Sequence, residues 1–331
     1  VNGTAVQNYA GTYPGAVDGE LWYNSTATTF QFQYGATALV GSWATGGNMN
    51  TGRGYLGGAG TQTAALAFGG RIGFNPGSNA TESYNGTNWT SVNNLNTTRY
   101  GLGGDGTQTA ALAFGGSASP NAQTESWNGT NWTEVNDLNT GRGKIEGVGT
   151  QTAALAFGGT PPTTGKTELW NGTNWTEVND MGTARYSFGT SGIQTSALAI
   201  AGKSPGILAI VESWNGTNWT EVADVNFARN DLAGAGVSNT SAVAFGGDGD
   251  PPIYAKTEFW NGTSWSSTGD MNNATDLNAG AGTKTSALSF GGRNPSYPGI
   301  NSITTEEFNA GPAAVGAWST GGDLNTARRG L

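Results

Sequence analysis

One string returns six times along the 331-residue chain. It reads AALAFGG at Ala64–Gly70, Ala110–Gly116 and Ala153–Gly159, SALAIAG at Ser196–Gly202, SAVAFGG at Ser241–Gly247 and SALSFGG at Ser286–Gly292. The closing glycines lie 46, 43, 43, 45 and 45 residues apart. A second string follows each copy: Glu82–Trp89, Glu125–Trp132, Glu168–Trp175, Glu212–Trp219 and Glu258–Trp265, then a degenerate version over Glu307–Trp318. A third element leads into the next unit: LNTTR at Leu95–Arg99, LNTGR at Leu138–Arg142, MGTAR at Met181–Arg185 and VNFAR at Val225–Arg229. Self-similarity at a fixed period of tens of residues means that each repeat is one small unit that cannot bury its apolar face alone.

Each unit reads as four short strands. No 3.6-residue apolar stripe occurs, and helix formers are scarce. The Gly-rich stretch after each Arg, Tyr55–Gly60 in the first unit, predicts a strand with almost no side chains, suited to a crowded position. A polar turn, Thr61-Gln62-Thr63, leads to the apolar strand closed by Gly-Gly. A variable stretch precedes the third strand, and Asn-Gly between β-rich runs predicts a type I′ hairpin turn. The fourth strand carries the second Trp. Sheets of this kind bury both faces by stacking around an axis, as in a β-propeller.

Arg, a Gly-rich strand, an apolar strand ending in Gly-Gly, then Glu-x-aromatic-Asn and Trp: this order resembles the kelch repeat. The resemblance covers about residues 46–331 and implies an all-β, kelch-type β-propeller with one four-stranded blade per repeat. Three positions depart from the pattern: Thr275 stands for Arg, Ala201 for the first Gly, and Tyr84 and Phe308 for the third-strand Trp.

The first 45 residues do not repeat this pattern. Leu21–Tyr23, Thr29–Tyr34 and Leu39–Trp43 read as strands. Residues Tyr34–Arg53 align without a gap with Asn309–Arg328. The expectation is a single β-propeller domain over 1–331: strands of a closing blade in 1–45, six kelch-like repeats in 46–320 and a closing strand in 321–331. That gives seven four-stranded blades, the last closed by both chain ends, with Arg328–Leu331 beside Leu21–Tyr23. The alternative is six blades plus an N-terminal appendage. The DGELWYNST string at Asp18–Thr26 is similar to modules of phage tail-fibre and other virion appendage proteins. The ALAFGG and WNGTNWTEVN wording is similar to that of phage structural proteins. That resemblance implies a virion or extracellular protein whose partners are other virion proteins and a host-surface glycan or receptor.

Composition narrows the chemistry. The chain has no Cys and no His, which excludes a disulfide framework, thiolate or imidazole metal sites, and a His-dependent triad. No cofactor is expected. Copper oxidases of the galactose-oxidase type share the kelch architecture but require Cys and His, so the resemblance stops at the fold. Lys plus Arg number 14 against 23 Asp plus Glu, a net charge of −9 that argues against nucleic acid and anionic membranes as partners. No run of about 18 apolar residues predicts a membrane-spanning helix. No basic segment precedes an apolar one, so no signal peptide is expected. The chain starts at Val1, which leaves the position of the native N-terminus open.

Two charge series recur once per repeat: Arg53, Arg99, Arg142, Arg185, Arg229 and Arg328, and Glu82, Glu125, Glu168, Glu212, Glu258 and Glu307. A charge present in every unit is better read as a structural Arg–carboxylate pair than as a ligand contact. A ligand site has to break the symmetry. The Trp series is read as inter-sheet packing rather than a sugar platform. The N-x-[ST] sequons, such as Asn85 and Asn128, follow from the turn. Asp248 and Asp250 lack the remaining ligands of a Ca²⁺ loop and are read as an acidic loop. What differs between copies is the stretch after Gly-Gly, most of all Arg71–Ala80, Asp248–Lys256 and Arg293–Ile303. Loops on a rigid frame carry function, and Phe74, Tyr254, Tyr297, Asp248, Asp250 and Arg293 are the candidate binding residues. The expected function is non-enzymatic: a binding module for a host-surface glycan or receptor. The alternatives are a purely structural decoration protein and a carboxylate-based polysaccharide depolymerase.

Overall fold

The computed structural model describes residues 7–9, 21–24, 26, 29–32, 39–73, 77–117, 121–293 and 301–312. Among them every regular element is a strand. Six four-stranded sheets form the blades of a β-propeller, and the propeller unit spans Gly41–Ala310. A separate three-stranded sheet holds Gln7–Tyr9, Leu21–Asn24 and Thr29–Phe32, the first pair parallel and the second antiparallel.

Blade 1 shows the pattern. Its inner strand Gly57–Thr61 pairs with Ala64–Phe68, which pairs with Thr81–Tyr84, which pairs with the outer strand Trp89–Val92. Blades 2 to 5 repeat it, starting at Gly103, Glu146, Gly189 and Ala233. Blade 4 differs only in a longer central hairpin, Ser196–Lys203 with Ile207–Trp214.

The core lies between blades, and the AALAF string explains why. Successive side chains on a strand face opposite ways, so Leu and Phe fall on one face and two alanines on the other. Leu66 and Phe68 of blade 1 pack with Ala111, Ala113, Trp127 and Trp132 of blade 2. Leu112 and Phe114 then meet Ala154, Ala156, Trp170 and Trp175. A bulky face enters a small-residue face at each junction, the interdigitation that close packing requires. All four side chains of Ala65–Phe68 are fully buried. Each Leu or Phe so placed contributes roughly 1.5–3 kcal/mol.

The ring closes at six. Leu288 and Phe290 of blade 6 pack with Ala65, Ala67, Tyr84 and Trp89 of blade 1, in the same way as at the junctions from blade 1 to blade 5. No gap is left for the expected seventh blade. The segment expected to belong to it, Leu39–Thr45, is instead the outer strand of blade 6, next to Thr305–Pro312. Leu21–Asn24 and Thr29–Phe32 are not its neighbours. Arg328–Leu331 lies outside the described residues. Trp43 does for blade 6 what the outer-strand Trp does elsewhere. Its ring sits 4.9 Å from Phe245, against 5.0 Å for Trp132 on Phe68. Its Nε1 donates to Thr257 Oγ1 of blade 5 at 2.9 Å, as Trp132 Nε1 does to Thr81 at 3.1 Å.

The Asn-Gly turns also differ from expectation. Tyr84 pairs with Trp89, so Asn85–Asn88 is a four-residue loop rather than a two-residue type I′ turn. Only Gly86, at φ 88°, has a positive φ. The Asn85 side chain does the rest: its Oδ1 accepts from the amides of Thr87 and Asn88 at 3.0 and 2.8 Å. Asparagine mimics a backbone turn in this way. The sequon asparagines Asn85 and Asn88 are exposed in this loop.

Candidate functional site

The repeated charges are buried pairs. Arg53–Glu82, Arg99–Glu125, Arg142–Glu168 and Arg229–Glu258 lie at 2.9, 2.8, 2.6 and 2.9 Å, and Arg185 bonds Glu212 in the same way. Four of these five Arg also hold the base of the variable loop in their own blade, whereas Arg185 reaches the carbonyls of Thr183 and Ala199. Arg53 Nη1 donates to the carbonyls of Gly69 and Ala80, which flank the loop of blade 1. Arg99 reaches Gly115 and Gln123, and Arg229 reaches Gly246 and Lys256. Each Glu fastens the incoming linker, as Glu82 does by accepting from Asn50 N at 2.7 Å. Burial lowers the Arg53 and Arg229 pKa values, and the facing carboxylates oppose that shift. These pairs are the frame beneath the loops.

Blade 6 lacks the Arg, and its carboxylate is Glu306 rather than the expected Glu307. Ser289 faces Glu306 as Ala67 faces Glu82. Glu306 accepts instead from the amides of Asn272 and Asn273 at 2.8 and 3.0 Å and from the Asn273 side chain at 3.0 Å. Glu307 takes a 2.6 Å bond from Tyr84 Oη. Thr275 has no counterpart of the clamp. Asn278 and Ser289, Leu56 and Ala67 in blade 1, bond each other at 2.7 Å in the space nearby. Arg328 lies outside the described residues.

Just above the inner strands, one residue per blade is left-handed: Tyr55, Gly101, Lys144, Ser187, Asp231 and Leu277, with φ between 48° and 58°. Their peptide groups form a closed ring. Gly101 N donates to Tyr55 O at 2.8 Å, Lys144 to Gly101 at 2.6 Å and Ser187 to Lys144 at 3.4 Å. Asp231 donates to Ser187 at 2.7 Å, Leu277 to Asp231 at 2.8 Å and Tyr55 to Leu277 at 3.0 Å. The left-handed region costs a non-Gly residue roughly 1–2 kcal/mol. Five of the six positions nevertheless carry side chains, and all differ.

The residue before each ring position pairs with the first loop residue of its blade: Gly54 with Arg71, Tyr100 with Ser117, Asn230 with Asp248 and Asp276 with Arg293, for example. Ring and loops therefore share one face. Around the mouth the chemistry is uneven. Lys144 Nζ lies 5.1 Å from the Tyr55 ring centre and 5.2 Å from that of Tyr186, and Arg71 lies 5.4 Å from that of Tyr100. The tyrosines of blades 1, 2 and 4 are half-buried. Blades 5 and 6 are acidic: Arg293 Nε donates to Asp276 Oδ1 at 3.0 Å, and its Nη2 lies 3.7 Å from Asp248.

Glu146 lies on the inner strand below the ring, walled by protein yet open to the axial space. Burial first, then the Asp231 charge, pushes its carboxyl up to about 8. Burial raises Asp231 as well. It raises Asp276 to about 6 even though Arg293 opposes the shift. Deeper in the channel, burial raises Asp105 well above the ordinary carboxylate range. Inner strands of all six blades line a cavity there of about 90 Å³. That is room for a few waters, so a ligand of sugar size has to sit at the mouth. Among the described residues no three carboxylates come together closely enough to hold a metal ion.

Of the six loop residues expected to bind, Asp248 and Arg293 meet at this mouth. Asp250 is exposed and bonds back to Asp248 through its amide, and Tyr254 packs on Phe227 with ring centres 5.8 Å apart. Phe74 and Tyr297 lie outside the described residues. No motif in the sequence marks the ring residues. Their only signal is position, two residues after each repeat Arg. No protein-family model matches the chain, and no curated protein is similar to it in sequence.

Proposed function

We propose that this protein is a kelch-type binding module of a virion appendage, acting outside the cell and recognising a host-surface glycan or receptor at the axial mouth of its loop face. The observation that carries this reading is the ring. A chain that is 56 parts glycine in 331 keeps five different side chains where glycine is favoured, and all five surround one opening. Strain held at a few positions of an otherwise regular frame points to function there. Half-buried Tyr55, Tyr100 and Tyr186 offer apolar ring faces, and Lys144, Asp231, Asp276 and Arg293 offer directed hydrogen bonds. A few placed polar groups beside aromatic surface suit a neutral or weakly charged glycan. The remaining virion proteins are its structural partners in this reading.

Binding of the intact protein to host-surface glycans tests it, with two variants. One replaces the loops 71–80, 248–256 and 293–303 by the short SASPNAQ loop. The other is Lys144→Gly, which removes the side chain but suits the left-handed backbone. Both should fold and lose binding. Retained binding by both would refute the assignment. Release of reducing ends from the polysaccharide would favour a depolymerase that uses the carboxylates of the mouth.

A further inference from the structure

The cavity of about 90 Å³ on the propeller axis is walled by the free edges of the six inner strands, each paired along one side only. On such an edge every second residue turns its N–H and C=O away from the partner strand. Carbonyl oxygens accordingly face the next blade. Gly147 O accepts from Thr190 Oγ1 at 3.4 Å, a Cβ on Gly234 would overlap Thr190 O, and one on Gly280 would overlap Gly234 O. The third residue of the inner strand breaks this regularity. In blades 1 to 6 it is Ala59, Asp105, Val148, Ser191, Ala235 and Ala281. Asp105 and Ser191 both line the cavity. Asp105 Oδ1 accepts from the neighbouring Gly106 N at 2.6 Å, and among the described residues no cationic side chain offsets its burial. Ser191 is 2% exposed, and its Oγ has no hydrogen-bond partner. That Oγ is turned toward Gly236, another residue of the cavity wall, where a Cβ would overlap it.

We propose that the axial cavity at the height of Asp105 binds one partly hydrated alkali cation, held by the Asp105 carboxylate, with the Ser191 hydroxyl and inward-facing carbonyls completing its shell directly or through water. The fold does not need an acid at this place, since three blades have alanine there. A carboxylate shut away from bulk water without a partner is costly, and the chain supplies no partner here. The lining fits a hard cation, because carboxylate, hydroxyl and carbonyl oxygens are the ligands such ions take, and rings of main-chain carbonyls can replace a hydration shell. The N–H groups of the same free edges suit the waters that remain on the ion. A single carboxylate balances a single charge, whereas a divalent ion would keep an excess charge in an enclosed space and bind weakly, since affinity follows the charge of the ligands. The cavity has room for an ion with a few waters. This site lies below the mouth and does not depend on what the loop face recognises.

The test compares thermal unfolding of the full chain in choline chloride, NaCl, KCl and CaCl2 at equal ionic strength, so that screening is held constant. NaCl or KCl should raise the melting temperature over choline chloride in a saturable way, by roughly 3–6 °C at a tenfold excess over the dissociation constant. Asp105→Ala restores the residue of blades 1, 5 and 6, so it should fold, melt no lower than the parent in choline chloride and show no response to the alkali salts. Ser191→Ala should keep the response but need more salt to reach it. Sodium-ion NMR gives a reading that does not involve stability: the parent should broaden the line in a saturable way, and Asp105→Ala should not. An equal salt response in Asp105→Ala, or no response in the parent, would overturn the proposal. A response to CaCl2 alone would overturn the assignment to an alkali ion.

Discussion

At the scale of single residues, buried charge does most of the organising. Arg142 loses all access to solvent but keeps Glu168 and the Gly158 carbonyl, the latter through Nε at 2.8 Å. Removing one member of a buried pair strands the other, at about 3–5 kcal/mol. Arg142→Ala should therefore lower the unfolding free energy measured in denaturant by that amount, and an unchanged value would show that Glu168 is otherwise satisfied. Glu146 gives a second expectation. Its proton is held more tightly in the folded state, from an ordinary value near 4.5 up to about 8. Its contribution to stability is therefore full below the ordinary range and is lost as pH rises toward 8. Melting curves between pH 5 and 9 should fall with pH, and Glu146→Gln should flatten part of that fall. The Arg–Glu pairing was legible in the sequence because both partners recur in register. Glu146 was not, since its shift comes from the axial wall around it. The sixth carboxylate was misplaced by one residue because Thr305-Glu306-Glu307-Phe308 offers two glutamates and only the strand register separates them.

At the scale of elements, the second strand of each blade sets the packing and the turns are fixed by side chains. AALAF could be read correctly because its small and bulky positions alternate with the pleat. The turn type was read wrongly, since Asn-Gly occurs both in two-residue hairpins and in the side-chain-capped loop found here. Asn171 Oδ1 accepts from the amides of Thr173 and Asn174 at 2.9 and 2.8 Å. Asn171→Ala should cost about 1 kcal/mol in an exposed loop where water replaces part of the bonding, measured by chemical denaturation. The glutamines of the first turns escaped notice. Gln194 Nε2 reaches back to the preceding blade, to Trp170 O at 2.6 Å and Ala154 O at 3.1 Å. Gln194→Ala should loosen the junction of blades 3 and 4, seen as faster exchange of the amides in Trp170–Trp175. No local pattern marks such a residue, because its partners lie one repeat away.

At the scale of the molecule, the count of blades was the hardest feature to read. Two copies of an outer-strand segment look like material for a further blade until the inner ring is seen to close without it. The ring itself carries no sequence signature, because a left-handed backbone is held there by a circle of peptide bonds rather than by residue type. The position of Leu39–Thr45 has a mechanical consequence. That strand and Thr305–Pro312 are neighbours in one sheet, so tension applied to the chain at residues 39 and 312 is carried across blade 6 alone. The other five blades bear no load until that sheet parts. Under force the propeller should therefore show a first rupture whose strength is set by blade 6, followed by release of the remaining blades. In single-molecule pulling, substitutions in blades 2 to 4 should leave that first event where it was, whereas substitutions at Trp43 should move it.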